Sequence, residues 1–140
     1  MTSYPPSHWP APKKDKRECM TPAEAYDLSN LANKVVLITG PTNGLGAAML
    51  DMIVLSKDRP SKVILVGRNA ELLAGKAALL TKAGIENTTY KADLVSPKQT
   101  FKVCEEIKSN EPTIHLLGLN AGAWLTYPKR EFQEDGYEKM

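Results

Sequence analysis

The sequence runs from an apolar stretch, Val35-Val36-Leu37-Ile38, straight into Thr39-Gly40-Pro41-Thr42-Asn43-Gly44-Leu45-Gly46 and on into Ala47-Ala48-Met49-Leu50-Asp51-Met52-Ile53-Val54-Leu55. That order reads as a strand, a glycine-rich turn and a helix. Such a unit gathers backbone N–H groups and the positive end of a helix dipole at one point, where a phosphate or pyrophosphate sits without needing a basic side chain. Gly40, Gly44 and Gly46 are spaced G-x-x-x-G-x-G. One glycine permits the tight turn, one lets the backbone approach a ligand, and one clears the crossing of helix and strand. Taken alone, the pattern also serves plain strand-to-helix geometry, so the rest of the chain has to decide.

A second strand, Lys62-Val63-Ile64-Leu65-Val66, ends in Gly67-Arg68-Asn69, and Gly67 lies 21 residues beyond Gly46. An acidic side chain about 20 residues past the glycines would accept from a ribose 2′-hydroxyl and repel a 2′-phosphate. Here that place holds glycine, with arginine next. The planar donor fork of Arg68 suits phosphate, so the expected cofactor is NADP, with NADPH preferred over NADH. A solvated arginine at a strand end is the competing reading.

Two further fragments complete a pattern. Asp93-Leu94 follows a short third strand at Thr88-Thr89-Tyr90-Lys91-Ala92, and Asn120-Ala121-Gly122 closes a fourth, Ile114-His115-Leu116-Leu117-Gly118-Leu119. In this order the elements resemble the N-terminal half of the short-chain dehydrogenase/reductase family, with its T-G-x-x-x-G-x-G, its strand-two end that sets cofactor choice, its D-L or D-V and its N-A-G. The resemblance covers roughly Asn33 to Met140. It implies an α/β fold, a Rossmann-type doubly wound parallel sheet, truncated here after about four strands. It also implies that Gly40, Thr42, Asn43, Gly44, Leu45 and Gly46 surround the pyrophosphate and that Arg68 lies by the adenosine ribose. Asp93 and Leu94 would lie against the adenine, with Asn120, Ala121 and Gly122 lining the floor near the nicotinamide. The family often reads N-N-A-G and carries an aspartate near the start of the fourth strand, where this chain has Leu119 and His115. Pro41 has no N–H to offer a phosphate, although its fixed φ stiffens the turn.

The catalytic groups of the resembled family, an asparagine, a serine and a Y-x-x-x-K pair, cannot be placed. None of Tyr4, Tyr26, Tyr90, Tyr127 and Tyr137 has a lysine four positions on. The closing segment Phe132 to Met140 is similar to the family's lead into its next long helix, so the sequence is expected to stop short of the catalytic half. The resemblance implies an NADP-dependent oxidoreductase moving a hydride to or from a carbonyl or alcohol, present as a fragment that binds dinucleotide without turning it over. A second reading is a non-catalytic NADP(H)-binding or regulatory module that pairs with a full-length relative. The substrate is not legible.

Residues 1–32 read as a separate arm. Pro5, Pro6, Pro10 and Pro12 precede Lys13-Lys14-Asp15-Lys16-Arg17-Glu18, a composition that buries too little apolar area to order itself. Thr21-Pro22-Ala23-Glu24 then has the order of an N-cap, a proline at the first helical position and a capping box, which starts a short helix. The formal net charge of +2, spread along the chain, argues against nucleic-acid binding by charge. No apolar stretch reaches the roughly 18 residues of a membrane span. Cys19 and Cys104 show no motif spacing, and His8 and His115 no metal pattern, so a reducing, cytoplasmic setting is expected.

Between the strands, Ala70 to Ala83 carries Leu72, Leu73, Ala77, Leu79 and Leu80 and ends before Gly84. Ser96-Pro97 opens a helix with Phe101, Val103, Cys104 and Ile107 on its inner side. Right-handed crossovers then give a parallel sheet that reverses direction between the first and fourth strands, where a cofactor crevice opens. The apolar fourth strand fits burial on both faces. If the sheet stops there, it becomes an edge that invites self-association.

Overall fold

A computed structural model describes residues 31–122 together with Phe132 and Gly136. The arm expected over residues 1–32, apart from Leu31 and Ala32, lies outside the described residues, as do the helix expected from Thr21 and most of the closing segment. The order is β1 (Val35–Thr39), α1 (Gly44–Leu55), β2 (Lys62–Gly67), α2 (Ala70–Lys82), β3 (Glu86–Lys91), α3 (Pro97–Asn110) and β4 (Leu116–Gly118). The strands form one parallel sheet in the order β3-β2-β1-β4. The chain therefore steps outward through β2 and β3, then returns across the sheet to lay β4 on the far side of β1, as the strand–helix alternation predicts.

β1 and β2 are central and apolar from Val35 to Ile38 and from Val63 to Val66, because helices cover both of their faces. Their alternation sorts two cores. Val36, Ile38, Val63 and Leu65 pack with Leu50 and Ile53 of α1, Leu73 and Leu80 of α2, and Leu31. Leu37, Ile64 and Val66 pack on the opposite face with Tyr90, Ala92, and Val103 and Ile107 of α3. Each buried valine, leucine and isoleucine among them stabilises the fold by about 1.5–3 kcal/mol. The sheet is therefore doubly wound. α1 and α2 lie on one face and α3 on the other.

Local signals set the boundaries. Asn69 caps α2 by accepting from the Leu72 N–H at 3.0 Å, and Gly84 follows its end, donating to the Thr81 carbonyl at 2.9 Å. Ser96 caps α3 by accepting from Gln99 N–H at 3.4 Å, with Pro97 in the first turn. Two expectations, on α3 and on β4, are corrected. Phe101 is 71% exposed and Cys104 is exposed, because the inner stripe of α3 runs through Val103 and Ile107, and Phe101 lies two residues, more than half a turn, from that line. Leu72 and Leu79 face solvent while Leu73 and Leu80 carry the contact. β4 is three residues long and exposed, not buried on both faces, because it has β1 on one side and no strand on the other among the described residues.

Candidate functional site

The C-terminal ends of the strands bring the sequence motifs to one edge of the sheet. β1 ends at Thr39 and passes into the glycine loop, β2 ends at Gly67 before Arg68, β3 leads through Ala92 to Asp93 and Leu94, and β4 leads to Asn120, Ala121 and Gly122.

The loop and the start of α1 have a composition that the other two helices lack. α1 begins at Gly44, so the last two glycines lie inside its first turn. Asn43 stands at its N-cap without a side-chain cap bond, and the first turn has no acidic residue. An α-helix leaves its first N–H groups without intrahelical partners. In α2 and α3 a capping side chain takes one of them, and α2 adds Glu71. In α1 they stay open to an anion, and Leu45 beside them is 78% exposed.

The loop is held from behind. Thr39 Oγ1 accepts from the backbone N–H of Asn120 at 3.1 Å and of Ala121 at 2.9 Å. The Asn120 side-chain amide donates to the carbonyls of Thr39 and Gly40, both at 3.1 Å. Gly40 has φ +66°, and a Cβ there would come within 2.9 Å of Ala121 Cα. A Cβ on Gly46 would overlap the Gly40 carbonyl oxygen and stand 2.6 Å from Asn120 Nδ2. The first and last glycines are thus required by packing as well as by turn geometry, and N-A-G is the surface they pack on. Pro41, which lacks an N–H, has its ring fully buried.

The remaining positions are arranged less tightly. Thr42 donates to Asn43 Oδ1 at 3.5 Å. Arg68 is exposed at the end of β2 and forms no ion pair with a described residue. Asp93 is fixed, since its Oδ1 accepts from Val95 N–H at 3.2 Å and its own N–H donates to Gln99 Oε1 at 3.1 Å. Leu94 packs partly against the α3-side core. Gly122 is the last described residue of the run.

Sequence reasoning passed over Thr39 and Gln99 as working residues. Thr39 stood at the head of the glycine motif, and a hydroxyl at a buried strand end next to that loop was the available signal. His115, where the family carries aspartate, joins β1 to β4: its Nδ1 accepts from Val35 N–H at 3.0 Å, and its N–H donates to Val35 O at 2.9 Å.

The two titratable groups with displaced pKa values meet at Glu111, Lys62 from the start of β2 and Tyr90 from near the end of β3. Lys62 is held above its ordinary 10.5, chiefly by its bond to Glu111 and against opposing burial, and burial lifts Tyr90 above 10.0. Among the described residues no group of acids, histidines and cysteines is placed to hold a metal, and no helix is long and apolar enough to cross a membrane.

With this geometry in hand, the sequence profile of the short chain dehydrogenases matches residues 34–140. The chain belongs to the short-chain dehydrogenase family. A sorbose reductase of Candida albicans is 30% identical over 120 residues, covering 84% of this chain and 41% of that protein. The crystal structure of a metagenomic short-chain oxidoreductase in complex with NADP superposes at TM-score 0.58 with 25% identity, over 68% of this chain and 42% of that one. L-Sorbose reductase from Gluconobacter frateurii, complexed with NADPH and L-sorbose, superposes at TM-score 0.56 with 25% identity, over 76% of this chain and 38% of that one. This short-chain dehydrogenase chain therefore spans about two fifths of the length of the first relatives it matches.

Proposed function

We propose that this chain is the dinucleotide-holding part of an NADP-dependent oxidoreductase that interconverts a carbonyl and an alcohol. The carrying observation is the uncapped, acid-free N-terminus of α1, the one of the three described helices that meets a glycine loop. It fits a pyrophosphate, whose charge takes the place of a cap.

In this reading Gly40, Thr42, Asn43, Gly44, Leu45 and Gly46 hold the pyrophosphate. Arg68, free of an ion pair with any described residue, receives the 2′-phosphate and sets the preference for NADPH over NADH. Asp93 and Leu94 border the adenine, and Asn120, Ala121 and Gly122 support the nicotinamide end. The bound nicotinamide supplies hydride chemistry. The chain's own residues bind and orient. Thr39 and Asn120 keep loop and floor in register, so the dinucleotide meets a preformed surface.

No tyrosine of the 140 residues has a lysine four positions on, so this reading holds binding without turnover for these residues alone. A second reading is a binding or regulatory module that pairs with a relative. An in-frame serine and Y-x-x-x-K in the transcript beyond Met140 separates the two. Two of the similar proteins are sorbose reductases, which agrees with carbonyl reduction as the reaction class. The exposed, free Cys104 thiol suits a reducing, cytoplasmic compartment. Competition titration tests the cofactor reading: NADPH displaces bound NADH at lower concentration in the native chain, and the order reverses in Arg68→Asp. An unchanged ratio removes Arg68 from the site.

A further inference from the structure

α3 opens on Ser96-Pro97-Lys98-Gln99, the S-x-x-Q order of a capping box, in which the first and last side chains each take the other residue's backbone N–H. Half of the box forms. Ser96 Oγ accepts from Gln99 N–H at 3.4 Å, but the Ser96 N–H is taken by the carbonyl of Asp93 at 3.1 Å. The Gln99 side chain reaches past the helix end instead, and its Oε1 accepts from the N–H of Asp93, six residues back, at 3.1 Å. A side chain suited to the start of its own helix thus holds the turn that follows β3.

That turn is tied closely to its surroundings. Both backbone groups of Asp93 are engaged, and its Oδ1 accepts from Val95 N–H at 3.2 Å. Thr100 Oγ1 lies 2.9 Å from the Ser96 carbonyl and 3.4 Å from that of Leu94. Ala92 N–H donates to the Gly67 carbonyl at 2.9 Å, which fastens the turn to the end of β2 beside Arg68. Two groups are left over among the described residues: Oδ2 of Asp93 and the N–H of Leu94. Both residues are half-buried, at the C-terminal edge of the sheet, where a doubly wound fold takes its ligand. An acceptor and a donor on consecutive residues match the pairing edge of adenine, an exocyclic amine beside an accepting ring nitrogen, and oppose that of hypoxanthine, which carries a carbonyl and a ring N–H.

We propose that Gln99 is a positioning residue for base recognition: by holding the N–H of Asp93 it sets the aim of Asp93 Oδ2 and Leu94 N–H, and so lets the site tell an adenine dinucleotide from one with another base. Gln99 acts through the turn and does not itself touch the base. Without its oxygen the N–H of Asp93 has to find another acceptor or turn to water, and the carboxylate on the same residue moves with it. This inference rests on the reading above, in which Asp93 and Leu94 border the adenine.

Fluorescence titration of the 140-residue chain with NADPH, with NADH and with the hypoxanthine analogue of NADPH tests it. The native chain is expected to bind NADPH about tenfold tighter than the analogue. Gln99→Met keeps the length of the side chain and loses the amide oxygen, so the two affinities converge to within about twofold. The ratio of NADPH to NADH, set by Arg68, stays at its native value. Gln99→Glu keeps an oxygen in place and retains the base preference. Thermal melts confirm that each variant folds cooperatively. A contact that served only the stability of α3 would weaken all three ligands alike; a base preference that survives Gln99→Met, or that is lost equally in Gln99→Glu, overturns the proposal. Equal affinity of the native chain for NADPH and the analogue overturns it while leaving the cofactor reading in place, whereas a folded native chain that binds none of the three ligands removes that reading and the proposal with it.

Discussion

The side-chain amide of Asn120 donates to the carbonyl oxygen of Gly40 at 3.1 Å, so the glycine loop is held by a residue 80 positions further along the chain. The same amide reaches the Thr39 carbonyl. Asn120→Ala removes both bonds and leaves two carbonyls short of a partner, a loss of about 1–3 kcal/mol. Asn120→Asp is the worse change, since a carboxylate then faces two carbonyl oxygens. Urea midpoints rank the two variants, and NADPH affinity falls in the same order.

Thr39 offers a sharper comparison. Its Oγ1 accepts from two backbone N–H groups of the N-A-G turn in a buried setting. Thr39→Val keeps the shape and leaves both donors unpaired, at about 1–3 kcal/mol. Thr39→Ser keeps the acceptor and restores most of that stability. Equal unfolding midpoints for the valine and serine variants would show that the hydroxyl is not what ties β1 to the turn.

Gly46→Ala tests the close approach. The new methyl meets the Gly40 carbonyl oxygen and Asn120 Nδ2, and the backbone has to shift by about 1–3 kcal/mol of strain. NADPH affinity is expected to drop by about tenfold or more, because the displaced atoms belong to the loop itself. Titration of a variant shown to be folded by circular dichroism checks this.

Alkaline stability follows from the contacts of Glu111. Glu111 accepts from Lys62 Nζ at 2.8 Å and from the Tyr90 hydroxyl at 3.2 Å. Lys62 and Tyr90 both hold their protons more tightly in the fold than their ordinary values of 10.5 and 10.0 imply. Their contribution is complete below about pH 10 and is lost as pH rises through the folded values. Stability measured by urea should therefore decline above about pH 10, and Glu111→Gln should flatten that decline while lowering stability near neutrality. A variant with an undiminished alkaline slope would place its origin elsewhere.

Much of this was legible in the sequence because local rules and tertiary demands agree. Val35 to Thr39, the glycine spacing, Ser96-Pro97 and the placement of Gly84 each name a strand, turn or cap whose geometry the fold uses. Phe101 and Cys104 were misplaced because helical periodicity fixes a stripe only to within a residue or two, and the stripe through Val103 and Ile107 is settled by contact with Tyr90 and Val66. β4 was misread because apolar composition reports what a strand is built to meet, and exposure depends on which neighbours are present. The roles of Thr39, Asn120 and His115 depend on bonds between residues about 80 positions apart, which no local pattern encodes.

We propose that the glycine loop at the head of α1 holds a phosphorylated dinucleotide. Fluorescence titration of the purified 140-residue chain with NADPH and with NADH, alongside a thermal melt that confirms a cooperative fold, measures it directly. Saturable binding with NADPH tighter than NADH is the predicted result. A folded chain that binds neither cofactor at millimolar concentration contradicts the account.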